Sequence, residues 1–258
     1  MSYWQDRMAA AQNKLTNKSV RQVETQLKKY YITAMNQVIA DFEAVYNKIE
    51  LQRAQGKQVT PADLYKLDKY WQMQGQMQAT LERLGNRQAR ILGDAFVANF
   101  FEIYHSINLP GLKAFSTIDK EGVSQMINQI WVADGKSWSQ RIWDNTKRLA
   151  ETLNEELISC VISGKKTSEL KKKLQERFGV SYSAADSLAR TEMAHIQTQA
   201  AKKRYEDYGI QQVEIWADPD ERTCEICGEL HQKKYYVGAA VPIPAHPRCR
   251  CCIVPVVD

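Results

Sequence analysis

Cysteine is concentrated at the C-terminal end of this 258-residue chain, where five of the six cysteines lie beyond residue 220. The donor residues of this segment are, in chain order, Cys224, Cys227, His246, Cys249, Cys251 and Cys252. A Cys-x-x-Cys turn places two thiolates where one metal ion can bind both, and a second Cys/His group completes a tetrahedron. A secreted disulfide scaffold would instead spread its cysteines through the fold. The pattern therefore predicts a local metal site.

Zinc is the metal that this donor set predicts. The segment is too short and too polar to bury much of a core, and a structural zinc site contributes on the order of 10 kcal/mol of coupled binding and folding. Cys224 and Cys227 are the first pair of predicted ligands. In an extended chain Cys249 and Cys251 point to the same side, so these two are expected to complete the site, with His246 as the alternate ligand. Four protein ligands would leave no open position, which favours a structural role over metal catalysis.

Helical periodicity governs about the first four fifths of the chain. Between residues 20 and 49 the apolar residues recur every three or four positions, which predicts one amphipathic helix of about eight turns. Thr60, Pro61 and Asp63 predict the start of a second helical stretch, which a breaker at 108–111 ends. Further helices are predicted over 123–131, 138–161, 168–178 and 183–208. Gly179 is expected to end the third of these, and a capping box at 183–186 to open the fourth.

Beyond Gly209 the pattern changes to short apolar runs interrupted by prolines. These runs predict strands at 213–216, 235–237, 241–243 and 252–257. The predicted fold class is therefore mainly α, with long N-terminal helices and a small C-terminal α+β zinc-binding module.

The composition narrows the class of protein further. With 44% hydrophobic and 25% charged residues, the chain is too apolar to be disordered. It contains no apolar run of about 18 residues and no signal-peptide pattern, so a transmembrane helix is excluded and a cytoplasmic origin is expected. The net charge of +5 permits contact with nucleic acid without requiring it.

Several charged residues outside the cysteine groups are candidates for supporting or binding roles. Arg190 and Glu192 form either an exposed ion pair or a contact that docks their helix onto the zinc module. Asp220 and Thr223 precede the first ligand and are expected to form hydrogen bonds that fix the thiolates. The lysines of the 165–177 segment are candidates for weak contacts with DNA phosphates: Lys165, Lys166, Lys171, Lys172 and Lys173.

Taken together, the motifs of the C-terminal half resemble one family. The matching blocks are Ala189-Arg190-Thr191-Glu192, Gly209-Ile210, Trp216, the segment from Asp220 to Cys227, and the segment from His246 to Cys251. In order and spacing they resemble the Mu F-like phage head morphogenesis family, over residues 138 to 255. Two departures are Leu230-His231-Gln232, where the family often has Leu-x-Gly, and the additional Cys252.

The resemblance implies a structural, non-enzymatic minor capsid protein of a tailed bacteriophage or prophage. Such a protein is expected to associate with the portal and capsid components and to act in head assembly and in DNA packaging or delivery. Packaged DNA is a candidate further partner. Its expected location is the virion, in the head interior or at the portal vertex, after assembly in the host cytoplasm. Residues 1–135 would form a helical region for portal or capsid contact. Residues 136–258 would form the Mu F-like domain, with the zinc module at 211–258.

Two alternatives remain open on the residues alone. One is a nuclease or other nucleic-acid enzyme that uses the zinc module as a scaffold, with Glu192, His195 or His231 in its site. The chain lacks a complete catalytic constellation and the common metalloenzyme spacings, which disfavours this alternative. The other is a cytoplasmic zinc-containing nucleic-acid binder unrelated to virions.

Overall fold

The computed structural model describes residues 2–113, 118–217, 220–221 and 223–256. Its helices are α1 (Ser2–Ala54), α2 (Pro61–Tyr65), α3 (Asp68–Ser106), α4 (Lys120–Ile127), α5 (Trp138–Ser163), α6 (Thr167–Asp207) and α7 (Glu225–Leu230). The strands are β1 (Gln212–Trp216), β2 (Lys234–Tyr236) and β3 (Cys252–Pro255). The predicted fold class, mainly helical with a small C-terminal α+β module, is confirmed.

Local capping signals in the sequence are confirmed where the helices begin. The backbone N–H and the hydroxyl of Thr60 both donate to the Asp63 carboxylate, at 3.0 and 2.7 Å. These hydrogen bonds lower the pKa of Asp63 to about 2. At the next such boundary Asp119 accepts a hydrogen bond of 2.7 Å from the backbone N–H of Gly122 and caps α4, which begins and ends a few residues earlier than predicted.

The helix boundary predicted between 178 and 183 is wrong, because α6 is continuous from Thr167 to Asp207. Glycine in a helix interior costs only about 1 kcal/mol relative to alanine, and contacts around Gly179 offset that cost. Phe178 is buried, and the Ser181 carbonyl accepts a hydrogen bond of 3.3 Å from the Tyr31 hydroxyl. The capping box predicted at 183–186 therefore lies in the middle of a helix.

The chain divides into two compact units, each built from several segments. Unit 1 comprises residues 1–24, 91–138 and 187–258, and unit 2 comprises residues 25–90 and 139–186. The sequence analysis expected residues 1–135 to contact the portal or capsid and residues 136–258 to form the Mu F-like domain. That assignment of functions stays a prediction.

Unit 2 has a continuous apolar core between helical segments. Its fully buried members include Val38, Phe42, Ile49, Leu64, Leu153, Leu157, Val161, Leu170 and Leu174. Within this unit the Tyr46 hydroxyl donates to the carbonyls of Cys160 and Lys165, at 2.8 and 2.6 Å. Gly85 allows close packing, because a Cβ atom at that position would lie 2.7 Å from the Trp143 ring.

Unit 1 carries the sheet and the cysteine groups. The sheet has the strand order β2-β1-β3 and is antiparallel throughout, with Glu214 opposite Lys234 and Trp216 opposite Cys252. Trp216 and Cys252 pack against Ala9 near the start of α1. The side chain of Gln12 adds a hydrogen bond of 3.1 Å to the Ile253 carbonyl. The N-terminal part of α1 thus holds the central strand and one edge strand in place.

The strand predicted at 241–243 is wrong. Residues 241–243 lie in an irregular segment between β2 and β3, where the Ile243 N–H donates to the Val241 carbonyl at 2.9 Å in a tight turn. Ile243 itself is buried. Its apolar character therefore reflects packing of a loop, which a short apolar run does not distinguish from a strand.

Candidate metal centre

The first pair of predicted ligands lies at the start of the short helix α7. Cys224 is its N-cap residue, and its carbonyl accepts a hydrogen bond of 2.9 Å from the Gly228 N–H. Cys227 lies one turn further on and is buried, whereas Cys224 is exposed. The turn between the two cysteines brings their sulfurs to the same end of the helix.

The second donor group folds back onto this end of α7. The His246 Nε2 atom lies 3.2 Å from the Cys224 sulfur and 3.1 Å from the Cys227 sulfur. The Cys227 and Cys249 sulfurs are 3.7 Å apart. The donor atoms of Cys227, Cys249 and Cys251 all lie within 4.8 Å of one another, as do those of Cys224, Cys227 and His246.

The residues at this centre fit a zinc ion. Thiolate sulfur and imidazole nitrogen are the donors that structural zinc prefers, with Zn–S bonds of about 2.3 Å. Tetrahedral geometry then places two sulfur ligands about 3.8 Å apart, close to the separation of Cys227 and Cys249. The structure brings together all four predicted ligands and the alternate ligand His246. Cys252 lies in β3, where its sulfur approaches the Trp216 carbonyl at 3.9 Å.

The thiols of the centre ionise unequally. A backbone hydrogen bond from Cys227 lowers the pKa of Cys224, and a hydrogen bond from the Cys251 thiol lowers the pKa of Cys249 to about 5. Burial raises the pKa of Cys227 to about 12, and the hydrogen bond to Cys249 together with burial raises the pKa of Cys251. Without a cation, the closely spaced thiols therefore do not all ionise together. A divalent cation at the centre would allow each of its ligands to ionise.

The His246 ring is oriented by the backbone. Burial lowers the pKa of His246, but the hydrogen bond to the Pro247 carbonyl and the nearby Cys249 and Cys224 sulfurs outweigh it, so that the pKa is raised. The Nδ1 atom lies 2.8 Å from the Pro247 carbonyl oxygen. A carbonyl only accepts, so Nδ1 carries the proton.

An ion pair that the sequence did not indicate joins the two donor groups. The Arg250 guanidinium, between Cys249 and Cys251, donates to both oxygens of the Asp220 carboxylate at 2.7 and 2.5 Å. Asp220 was expected to support the thiolates, and the structure shows its carboxylate bound to Arg250. Thr223 follows in the same turn, where its N–H donates to the Asp220 carbonyl at 3.0 Å.

The Arg190-Thr191-Glu192 motif lies on α6 beside the centre. The Thr191 hydroxyl accepts a hydrogen bond of 3.0 Å from the backbone N–H of Arg248, a residue with a φ of +63° in the loop between His246 and Cys249. Arg190 forms an ion pair with Glu24 of α1. The Glu192 carboxylate is buried and accepts a hydrogen bond of 2.9 Å from the Trp131 indole. The middle residue, which sequence reasoning passed over, contacts the metal module directly.

The histidines considered for catalysis are packed against tryptophans. The His195 ring stacks on Trp131 with 4.2 Å between ring centroids, which brings His195 and Glu192 to the same indole. The His231 Nδ1 atom accepts a hydrogen bond of 3.2 Å from the Ala217 N–H, and its ring meets Trp216 edge-on.

Three of the five candidate DNA-binding lysines form ion pairs within unit 2. Lys173 lies 2.5 Å from the Glu156 carboxylate, Lys171 lies 3.7 Å from Glu43, and Lys165 lies 3.7 Å from Glu169. Lys166 and Lys172 are exposed. The lysines therefore contribute less positive surface than their number in the sequence indicates.

Comparison with known proteins relates the C-terminal region to a phage family. Residues 151–254 match the family model described as Phage Mu protein F like protein. The resemblance drawn from the motifs is confirmed, since these residues are similar to the Mu F-like phage family. The match includes α6, the sheet except Pro255 at the end of β3, and every donor of the candidate centre.

One curated relative is an enzyme. The chain is 30% identical over 142 residues to NAD(+)--arginine ADP-ribosyltransferase EFV from Enterococcus faecalis (strain ATCC 700802 / V583). The alignment covers 48% of this chain but only 29% of that relative. No solved structure matches the chain significantly.

In the described part of the chain, no helix has both the length and the apolar character needed to cross a membrane.

Proposed function

We propose that this chain is a structural minor capsid protein of a tailed bacteriophage or prophage, which associates with the portal and acts in head assembly and in DNA packaging or delivery. The observation that carries the proposal is the family match over residues 151–254. In this role the protein resides in the virion, at the portal vertex or inside the head. It reaches that place from the host cytoplasm.

The candidate centre is proposed to hold one structural zinc ion. The support is the convergence of sulfur and imidazole donors at distances that suit a tetrahedral site. The ion supplies rigidity to a segment whose described residues form only α7 and three short strands as regular structure. Arg250 and Asp220 form an ion pair that joins the two donor groups without belonging to the donor set.

The helical region 1–135 is proposed to contact the portal or the capsid. Large aromatic side chains stand exposed on it, namely Trp4, Trp71 and Tyr65, with 58%, 59% and 42% of their surfaces accessible. Exposed aromatics of this size are typical of partner surfaces. Packaged DNA is a further proposed contact, with the exposed Lys166 and Lys172 as its candidates.

Presence in virions tests the proposal. Particles purified from a lysate and freed of soluble protein should contain the chain at a constant ratio to the portal protein, measured by quantitative mass spectrometry. A tagged chain should also retain the portal protein on purification. Consistent absence from DNA-filled heads and from portal preparations would reject the head-protein proposal.

The proposed role is non-enzymatic. Purified protein should leave plasmid and RNA intact and should transfer no ADP-ribose from NAD to arginine substrates, the activity in the relative's name. Turnover that Glu192→Ala abolishes, while the exposed-site variant Glu155→Ala retains it, would favour the enzyme alternative instead.

A further inference from the structure

The two donor groups of the centre are built as a matched pair of turns. Cys224 and Cys227 are separated by two residues, and so are His246 and Cys249. In the second turn the Cys249 N–H donates to the His246 carbonyl at 3.2 Å, and the left-handed conformation of Arg248 closes it. Each turn therefore brings its first and fourth side chains to the same side. Cys251 lies beyond the second turn, next to the start of β3.

The Nε2 atom of His246 faces the sulfurs of the first turn. Because Nδ1 donates to the Pro247 carbonyl, Nε2 of the neutral ring is the unprotonated atom. That atom lies 3.2 and 3.1 Å from the Cys224 and Cys227 sulfurs. A backbone carbonyl that fixes the tautomer and orientation of a ring in this way is the usual support of a zinc-binding histidine.

His246 also contacts Cys224, the exposed cysteine of the first turn. In the described part of the chain, the donor atoms of Cys224 and Cys227 form a compact group with that of His246, whereas Cys249 and Cys251 form a group with Cys227 but not with Cys224. The Cys249 sulfur lies 3.7 Å from the Cys227 sulfur. The four donors of the two turns thus form an unbroken chain of close contacts, from Cys224 through His246 and Cys227 to Cys249.

We infer that the centre is a three-cysteine, one-histidine site in which the two turns supply Cys224, Cys227, His246 and Cys249, while Cys251 stays outside the coordination sphere. The inference rests on the metal part of the proposed function and revises the four-cysteine set expected from the sequence.

Spectroscopy of the full chain tests the donor set directly. X-ray absorption at the zinc edge of reduced, zinc-loaded protein should fit three sulfurs at about 2.3 Å and one nitrogen at about 2.0–2.1 Å. His246→Cys should convert this to four sulfurs and strengthen the thiolate-to-metal charge-transfer band of the cobalt-substituted protein. Four sulfurs around zinc in the unmodified chain would overturn the inference while leaving a zinc-containing head protein intact.

Two cysteine variants separate the ligand from its neighbour. Cys251→Ser should keep one zinc per chain and the same absorption spectrum, whereas Cys249→Ser should bind zinc more than about a hundredfold more weakly, beyond the effect typical of an outer contact. The reverse order, with Cys251→Ser losing zinc and His246→Gln keeping it, would overturn the inference. Unmodified protein that binds no zinc would overturn both the inference and the metal part of the proposed function, but virion analysis would still test the head-protein role.

Discussion

His195 shows how burial changes the charge state of a single residue. Its ring lies almost parallel to the Trp131 indole and is 8% exposed. Burial lowers its pKa from 6.5 to about 4, because an imidazolium ion there would lose its hydration. The Glu192 carboxylate accepts a hydrogen bond from the same indole. The histidine is therefore neutral in the folded protein at physiological pH, as a packed residue would be.

This shift makes folding depend on pH in a defined window. Since the unfolded chain binds more protons than the folded chain between pH 6.5 and about 4, the free energy of unfolding should fall as the pH decreases through that range, by up to about 3 kcal/mol. His195→Phe retains a ring against Trp131 and should remove this part of the slope in urea titrations at several pH values. The exposed His105, changed to Phe in the same way, serves as the control. Equal slopes for all three proteins would contradict the assignment.

At the scale of elements, the long helices extend beyond the boundaries that their local sequence signals predict. Thr60 and Asp63 begin a helix as expected, because a cap needs only a few neighbouring residues. Gly179 and the capping residues after it do not interrupt α6, since tertiary contacts of Phe178 and Ser181 outweigh a weak local preference. Contacts of that kind cannot be deduced from the spacing of one segment alone.

Gly179→Ala should stabilise α6. A Cβ atom at Gly179 meets nothing within 4 Å, so alanine should raise the free energy of unfolding by roughly 0.5–1 kcal/mol, because it reduces the freedom of the unfolded chain and favours the helix. Chemical denaturation measures the change. Gly85→Ala is the matched control within another helix of unit 2, where the new Cβ would lie 2.7 Å from the Trp143 ring and should lower stability. A destabilised Gly179→Ala protein would show that the glycine conformation is required.

The candidate centre divides into a part that the sequence predicts and a part that depends on the fold. Spacing alone identified the donor residues, since a Cys-x-x-Cys pair carries its geometry within four residues. The order of preference among His246, Cys249 and Cys251 depends on how the second turn folds over α7. The hydrogen bond between Thr191 and Arg248 joins residues far apart in sequence, and no local pattern indicates it.

At the scale of the whole molecule, the apolar periodicity of α1 does not show that the chain divides into two units. The apolar stripe of α1 continues without a break from Val20 to Ile49, yet Val20 belongs to unit 1, while Phe42 and Ile49 pack in the core of unit 2. A regular stripe shows which face of a helix is buried but not which partner covers it. Assignment of segments to units therefore required the structure.

Removal of the proposed zinc should affect the two units differently. After treatment with a strong chelator, hydrogen exchange should accelerate over residues 212–256 and over 6–12 of α1, which pack on β1 and β3, because the metal no longer contributes to folding there. Exchange over residues 38–49 should stay slow. The Cys224→Ser protein should exchange rapidly over 212–256 before treatment and change little afterwards. Undiminished protection in unit 1 after verified loss of zinc would show that the metal is dispensable for the fold.

The hydrogen bond between Gln12 and Ile253 bridges 241 positions of the chain, which has a consequence for the order of events during synthesis. All segments of unit 2 have left the ribosome once residue 186 has emerged, whereas unit 1 is complete only after β3 has been translated. The early part of α1 therefore cannot pack on its sheet until the C-terminal strand has been translated, and contacts between such distant residues form slowly.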